Sequence, residues 1–166
     1  MSIVSDSGAA RLPAEVVREL EKSHLGILAT ASADGLPTTT LVSWLCAPDD
    51  RHVVIALDRR GLAFSNVLDN PNVALELVID GFVATLRGPV TILCEQLGCA
   101  PFPSAALMLE IHEVRDHSVA GVSISPPRYR FAQDKARYAS TESAIVAELR
   151  EICNCARNGN GAAPHG

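Results

Sequence analysis

Two Asp-Gly pairs, Asp34-Gly35 and Asp80-Gly81, each stand between two stretches whose side chains alternate with the two-residue period of a β-strand. From Leu25 to the first pair, residues of one face recur at every second position, which is the period of a strand. Asp-Gly supplies the left-handed backbone that a tight turn between twisted antiparallel strands requires. The sequence therefore predicts two β-hairpins, and with them an antiparallel sheet.

Further alternating runs extend this sheet. The predicted strands begin with the one that starts at residue 25, and continue at 38–46, 53–57, 72–80 and 82–95, with a sixth around Leu107, Leu109 and Ile111 and a brief seventh at 128–131. Pro37 begins the second strand, and Ala47-Pro48-Asp49-Asp50 is expected to end it. Gly88-Pro89, inside the long fifth strand, indicates a bulge or a sheet edge.

The spacing of these runs favours a closed sheet. No long helix stands between successive strands, so a parallel sheet with crossover helices is disfavoured against a barrel or a sandwich. Closure into a barrel removes the exposed edges that apolar strands would otherwise present. We predict a mainly β protein with a minor α part, a six- to seven-stranded antiparallel β-barrel with short flanking helices.

Helical periodicity is found at both ends of the chain. Residues 12–24 and about 141–156 carry apolar residues at three- and four-residue spacing, and the stretch from Leu62 to Leu68 predicts one or two helical turns before Asn70-Pro71. The first helix is expected to cover one opening of the barrel. We predict one domain over residues 1–157, with the barrel at about 25–131, and a disordered tail at 158–166.

The charge balance and the start of the chain limit its surroundings. A formal net charge of −5 and a pI of about 5.5 would repel phosphate backbones, so nucleic acid is not expected as a partner. No apolar run approaches the roughly 20 residues that span a bilayer, so no membrane insertion is expected. The first residues lack a basic segment followed by an apolar one, which predicts a cytoplasmic protein.

Cysteine and histidine patterns do not predict a metal site. The five cysteines lack the paired spacing of a disulfide scaffold and are expected to be reduced thiols, although Cys153-Asn154-Cys155 could be a redox pair or half of a metal site. His112 and His117 are five residues apart in a stretch with strand alternation, which points them to opposite sides. The expected role of that stretch is a solvated edge.

The segment from Leu25 to Pro37, with the sequence LGILATASADGLP, resembles the first hairpin of the pyridoxamine 5′-phosphate oxidase-like, FMN-binding split-barrel family. The order of elements continues to agree through a short helix with Asn66 and through Asn70-Pro71, and Gly88 falls where the family's fifth strand often carries glycine. The likeness covers residues 12–95 well and fades afterwards.

This resemblance implies a split barrel that forms a homodimer, with FMN in a cleft at the interface. Polar and basic side chains around strands two and three and the short helix would hold the phosphate. Two departures stand out: Gly61-Leu62-Ala63 replaces a Ser-Arg-Lys-like group, and Thr40 and Leu45 stand where active oxidases have basic residues. A phosphate dianion is bound mainly through charge-assisted donors, so these departures weaken the expected grip.

The candidate cofactor-binding residues lie on strand two, at the end of strand three and on the short helix. They are Thr38, Thr39, Thr40, Ser43, Trp44, Asp58, Arg59, Arg60, Ser65 and Asn66. Arg59 and Arg60 either compensate for the missing cations or form a solvated turn. Some of the three threonines must face outward, and Trp44 either contacts the flavin or a second subunit, or packs in the core.

Two functions remain open from the sequence. The first is an FMN-dependent oxidoreductase acting on an unknown small molecule, with no identifiable catalytic side chain. The second is a non-catalytic module that binds flavin or another cofactor, haem or a deazaflavin among them, after losing the usual phosphate-binding residues.

Overall fold

The computed structural model describes residues 10–22 and 24–159, and side chains up to residue 156. The elements in chain order are α1 Ala14–Glu19, β1 Gly26–Ala31, β2 Pro37–Val42, β3 Leu45–Asp49, β4 His52–Asp58, α2 Leu62–Asp69, β5 Asn72–Ile79, β6 Phe82–Cys94, β7 Ser104–Glu110, β8 Glu113–Asp116, a 3-10 turn Gln133–Lys135, and α3 Tyr138–Gly159.

All strand pairs are antiparallel, in the order β2-β1-β5-β6-β7-β4-β3, with β8 added to β6. The long β6 holds the sheet together, because its first half pairs with β5 and β8 and its second half pairs with β7. The sheet curls into the predicted split barrel. Both predicted hairpins are present, and Gly35 and Gly81 adopt the expected positive φ, 82° and 73°.

The barrel is split between β2 and β3. These strands follow one another in the chain but lie at opposite ends of the strand order, joined only through Ser43 and Trp44. The prediction of one strand over 38–46 was therefore wrong. The chain leaves β2 after Val42, and the carbonyl of Trp44 then accepts the N–H of Ala56 at 2.9 Å, which starts the pairing of β3 with β4.

Two other strand predictions differ from the structure. Residues 47–50 were expected to end a strand, whereas β3 continues through Pro48 to Asp49 with a register shift after Cys46. An edge strand tolerates proline, which lacks an N–H, because one side of the strand has no neighbour to bond. The seventh strand predicted at 128–131 is absent, and that segment is irregular. The last strand in the chain is instead β8, which lies between His112 and His117 and pairs with β6. It is an edge strand, as the alternation of that stretch indicated.

The core has two layers. The barrel interior is one cluster, to which β4 contributes Val53, Ile55 and Leu57. The opposite face of β4, with Val54 and Ala56, packs under α3 in a second cluster. Burial on both faces explains why β4 is a continuous apolar run rather than an alternating one.

The flanking helices cover different parts of the barrel. Leu12, Val16 and Leu20 of the α1 region join the interior cluster, so α1 covers an opening as predicted. The helical part ends at Glu19, earlier than residue 24, whereas α3 extends to Gly159, beyond the expected 156. Residues 160–166 of the predicted tail lie outside the described part. No described helix is both long and apolar enough to cross a bilayer.

Gly88 stands where β6 passes close to the connection between β7 and β8. A Cβ atom at this position would lie 1.8 Å from the carbonyl oxygen of Glu110. Since real atoms do not approach so closely, only glycine fits there without movement of the backbone. The predicted irregularity at Gly88-Pro89 is the point at which β6 leaves β5 and joins β7.

Candidate functional site

Helix α2 is fixed to the barrel by a buried hydrogen bond. The side-chain amide of Asn66 donates to Oγ1 of Thr30 at 3.0 Å, and both residues are buried. Ala63, Phe64 and Val67 on the same side of α2 join the interior cluster. Asn66, a candidate cofactor residue, is therefore engaged with β1. Thr30 escaped the sequence analysis, although a buried hydroxyl on an apolar strand face requires a polar partner.

Strand β2 divides the three candidate threonines between its two faces. Thr38 lies opposite Thr30 and Thr40 lies opposite Leu28, so both half-buried side chains share the face that continues into the interior. Thr39 lies opposite Ala29 on the other face and is exposed. The prediction that some threonines face outward is confirmed for Thr39.

Arg59 and Arg60 point in different directions. The Arg60 guanidinium forms two hydrogen bonds with Asp58, at 2.9 and 2.8 Å, and lies 5.4 Å from the centre of the Phe102 ring. The Arg59 guanidinium instead lies 5.9 Å from the ring centre of Phe64, in the first turn of α2. The two arginines therefore do not act as one doublet, and only Arg59 lies beside α2.

Asp58 organises the turn between β4 and α2. Its carboxylate accepts the backbone N–H of Arg60 at 2.9 Å in addition to the two guanidinium bonds. The side-chain hydrogen bond from Arg60 lowers the pKa of Asp58 below its ordinary value, and burial opposes this effect. Asp58 is thus ionised at neutral pH and is not placed to act as a general acid.

Trp44 belongs to an aromatic stack on the other side of β4. Its ring lies 5.4 Å from that of Phe102 at an interplanar angle of 22°, and it packs against the cluster under α3. Arg60 adds its guanidinium to the same Phe102 ring. Trp44 therefore packs on the core as a half-buried side chain, and its contact with a flavin or a second subunit stays a prediction. Ser43, beside it, is half-buried in the split of the barrel.

The amino end of α2 has the character of an anion site. Gly61 precedes the helix and provides no side-chain cap, so N–H groups of the first turn are left for another acceptor. A helix amino terminus carries partial positive charge, and the Arg59 guanidinium against Phe64 adds a full one. Ser65 is exposed on the same helix. These groups meet the requirement of a phosphate for charge and hydrogen-bond donors.

The fit of a whole cofactor is less complete within one chain. Every fully buried side-chain nitrogen and oxygen of the described residues already has a hydrogen-bond partner, so no buried donor points to an absent ligand. Three cavities in the described part of the chain, of about 810, 490 and 160 Å³, are lined by none of the ten candidate residues. The residues present thus suit the phosphate group of a cofactor such as FMN. The cofactor's ring would need further contacts from outside this one chain.

A curled antiparallel sheet that is open between β2 and β3 and covered by α2 defines a split-barrel protein. The chain matches the family profile described as pyridoxamine 5′-phosphate oxidase over residues 12–125. It belongs to that family, which confirms the resemblance noted for its first hairpin.

Solved structures support the same fold. A proposed pyridoxamine 5′-phosphate oxidase from Lactobacillus delbrueckii is 24% identical, with a TM-score of 0.54, over 64% of this chain and 95% of that one. HupZ from Group A Streptococcus is 16% identical (TM-score 0.54; 69% and 100%), and an F420 reductase is 21% identical (TM-score 0.51; 62% and 98%). At these identities the structures share the fold alone. No curated protein sequence matches the chain.

Proposed function

We propose that this protein binds FMN as a homodimer and acts as a flavin-dependent oxidoreductase on a small molecule. The observation that carries the proposal is the position of Arg59, whose guanidinium lies beside the first turn of α2. A single cation at a helix amino terminus replaces the charge that Gly61-Leu62-Ala63 does not provide. Bound FMN would supply the redox chemistry, since its ring accepts and releases electrons.

The residues of this chain would bind and orient. Arg59 and the first-turn N–H groups of α2 would hold the phosphate, with Ser65 as a neutral donor. Asp58 would keep Arg60 turned toward Phe102 and hold the turn before α2 in one conformation. The Asn66–Thr30 bond would fix the distance between α2 and β1, so that the anion site stays in register with the barrel.

The outer face of the sheet supports the dimer. Ile27 and Leu41 are cross-strand neighbours there, and their side chains are 44% and 70% exposed. Small residues such as Ala29 and Ala74 continue the same face. A two-fold partner that covers this patch would supply the walls that one chain lacks for the ring.

Titration of the purified protein with FMN and with riboflavin tests the phosphate site. Riboflavin lacks the phosphate, so we expect it to bind more weakly than FMN. We also expect Arg59→Ala to leave the affinity for riboflavin unchanged. For FMN, loss of one charge-assisted contact should weaken binding roughly 10- to 100-fold. Arg51→Ala, in an exposed turn, is the matched control and should leave both affinities unchanged. Equal binding of FMN and riboflavin, or no binding of either, would contradict the proposal.

A second candidate is a cofactor-binding module without turnover. It is favoured by the neutral Gly61-Leu62-Ala63 and by the engagement of Arg60 with Asp58, which leaves Arg59 as the one arginine of the pair for the phosphate. The structural likeness to an F420 reductase makes F420, a deazaflavin, the first alternative cofactor to titrate, and haem the next. Oxidation of a reduced nicotinamide by the loaded protein, above the rate with free flavin, would decide for the oxidoreductase.

A further inference from the structure

The cluster under α3 contains three of the five cysteines, namely Cys46 on β3, Cys94 on β6 and Cys153 on α3. Cys46 and Cys153 are both buried, and their thiols form a hydrogen bond with each other. None of the five cysteines is in a disulfide. Two thiols from distant parts of the chain are therefore held in contact across the boundary between the sheet and α3.

The other cysteines have different surroundings. The thiol of Cys94 donates to the carbonyl oxygen of Gln96 at 3.2 Å. Cys99 and Cys155 are exposed, and Cys99 faces the carboxylate of Glu148, which also accepts its backbone N–H at 2.8 Å. Among the described side chains, the thiol pair therefore consists of Cys46 and Cys153.

A small cleft gives access to this pair. It has a volume of about 160 Å³ and is lined by both cysteines together with Arg150 and Glu21. Arg150 donates a hydrogen bond to the backbone carbonyl of Glu21, another residue that lines the cleft. The positive charge of Arg150 stabilises the thiolate form of Cys46 and so acts to lower its pKa. The cleft has room for a reagent of the size of hydrogen peroxide.

The backbone around Cys46 can accommodate a new bond. The pairing of β3 with β4 shifts register directly after Cys46, and β3 is an edge strand with Pro48 two residues on. An irregular edge has fewer hydrogen bonds to break when the chain moves slightly. Helix α3 meets this strand through side-chain packing, which also allows a small adjustment.

We propose that Cys46 and Cys153 are a site of reversible oxidation, at which a hydroperoxide converts the thiol pair to a disulfide that locks α3 onto the barrel. One thiolate attacks the peroxide O–O bond, giving a sulfenic acid and releasing water or an alcohol. The second thiol attacks this sulfur, the S–S bond forms and a water leaves. Two electrons pass from the sulfurs to the peroxide, and a dithiol reverses the reaction.

Burial sets the rate of this reaction. The hydrogen bond that the Cys46 thiol donates to Cys153 is the largest cause of a strongly raised pKa of Cys46, followed by burial, while Arg150 opposes both. Little thiolate is therefore present at neutral pH, and oxidation is slower than at an ordinary exposed thiol. Proximity favours the disulfide as the end product, because the sulfenic acid is formed next to its partner.

The direct test is to treat the full-length protein with hydrogen peroxide, block remaining thiols with N-ethylmaleimide, digest with trypsin and map linked peptides by mass spectrometry. Cys46 falls on peptide 23–51, and Cys153 falls on 151–157 together with Cys155. The Cys155→Ser variant removes this ambiguity. We expect a link between the two peptides in wild type and in Cys155→Ser, lost in Cys153→Ser and reversed by dithiothreitol.

Thermal unfolding gives a second measurement. A disulfide that joins residues so far apart in sequence should raise the unfolding temperature of oxidised protein by roughly 5–10 °C over the reduced form. Cys153→Ser should show no such difference. Links that involve only Cys99 or Cys155, or only links between molecules, would overturn the proposal. Mapping of the Cys155→Ser variant, whose peptide 151–157 retains Cys153 alone, decides the matter even if Cys153→Ser fails to fold.

Discussion

The Asn66 side-chain amide donates a 3.0 Å hydrogen bond to Oγ1 of Thr30, and this bond joins α2 to β1 inside the protein. Both side chains are buried, so neither can turn to water if its partner is removed. The bond therefore connects the helix that carries the candidate anion site with the first strand of the barrel.

Thr30→Val keeps the shape of the side chain but leaves the Asn66 amide without its acceptor. We expect a loss of about 1–3 kcal/mol in the free energy of unfolding, measured by urea denaturation. The double variant Thr30→Val/Asn66→Leu removes both polar groups and should recover part of this loss. Ser65→Ala, on the exposed side of α2, is the control and should change stability by less than about 0.5 kcal/mol. Additive losses in the double variant would contradict a coupled pair.

Gly88→Ala should be severely destabilising, because the added methyl would lie 1.8 Å from the Glu110 carbonyl oxygen. We expect a cost of about 2–4 kcal/mol from the forced separation of β6 and the chain after β7. Gly98→Ala is the matched control, since a Cβ there meets only the Glu148 carboxylate at 3.4 Å. Comparable stability of the two variants in chemical denaturation would show that the backbones at Gly88 and Glu110 can separate at little cost.

The Asp58–Arg60 pair predicts a defined pH dependence. The pKa of Asp58 is lowered in the folded protein, chiefly by the hydrogen bond from Arg60. The contribution of the pair is therefore present above the unfolded pKa of about 4, and is lost as the pH falls through the lower folded value. Both side chains are partly exposed, so solvent screens the interaction and the contribution is small.

Arg60→Ala is expected to be less stable than wild type at pH 7, and the difference should shrink toward zero as the pH is lowered below about 4. Unfolding temperatures measured between pH 7 and pH 3 give the comparison. A difference that stays constant over this range would show that Arg60 contributes through its packing on Phe102 rather than through Asp58.

Leu41→Asp tests the proposed dimer face. Leu41 is 70% exposed beside Ile27, so a charge there leaves the folded chain nearly unaffected but opposes burial against a partner. We expect wild type to elute as a dimer and Leu41→Asp as a monomer in size-exclusion chromatography with light scattering. Val119→Asp, at an exposed position of similar apolar character, should remain a dimer. A wild-type protein that elutes as a monomer would contradict the proposed interface.

Much of the fold was predictable because it depends on local chemistry. The glycines of both Asp-Gly turns adopt the positive φ that the turns require, and the apolar spacing of residues 12–20 and 145–152 places those faces against the core. The break at Ser43-Trp44 was missed, since an unbroken β-rich run gives no sign that its two halves pair with different strands. The stretch at 128–131 failed as a strand because none of the described strands pairs with it.

The candidate site was predictable in part. The sequence indicated that Arg59 and Arg60 follow a strand and precede a short helix, which the structure confirms. Their separation into one arginine against Phe64 and one against Asp58 and Phe102 depends on residues far along the chain, as does the contact of Asn66 with Thr30. Phe102 was not singled out, because a lone aromatic residue in a proline-rich loop carries no signal of its own.

The sequence by itself determined the alternation, the turns and the helical faces, because each of these depends on residues within a few positions of one another. Only the tertiary structure decided which strands meet, where the barrel opens, and which polar side chains are already engaged with one another. Those outcomes depend on how surfaces distant in sequence fit together and bury their polar groups, and packing of this kind is a property of the whole chain.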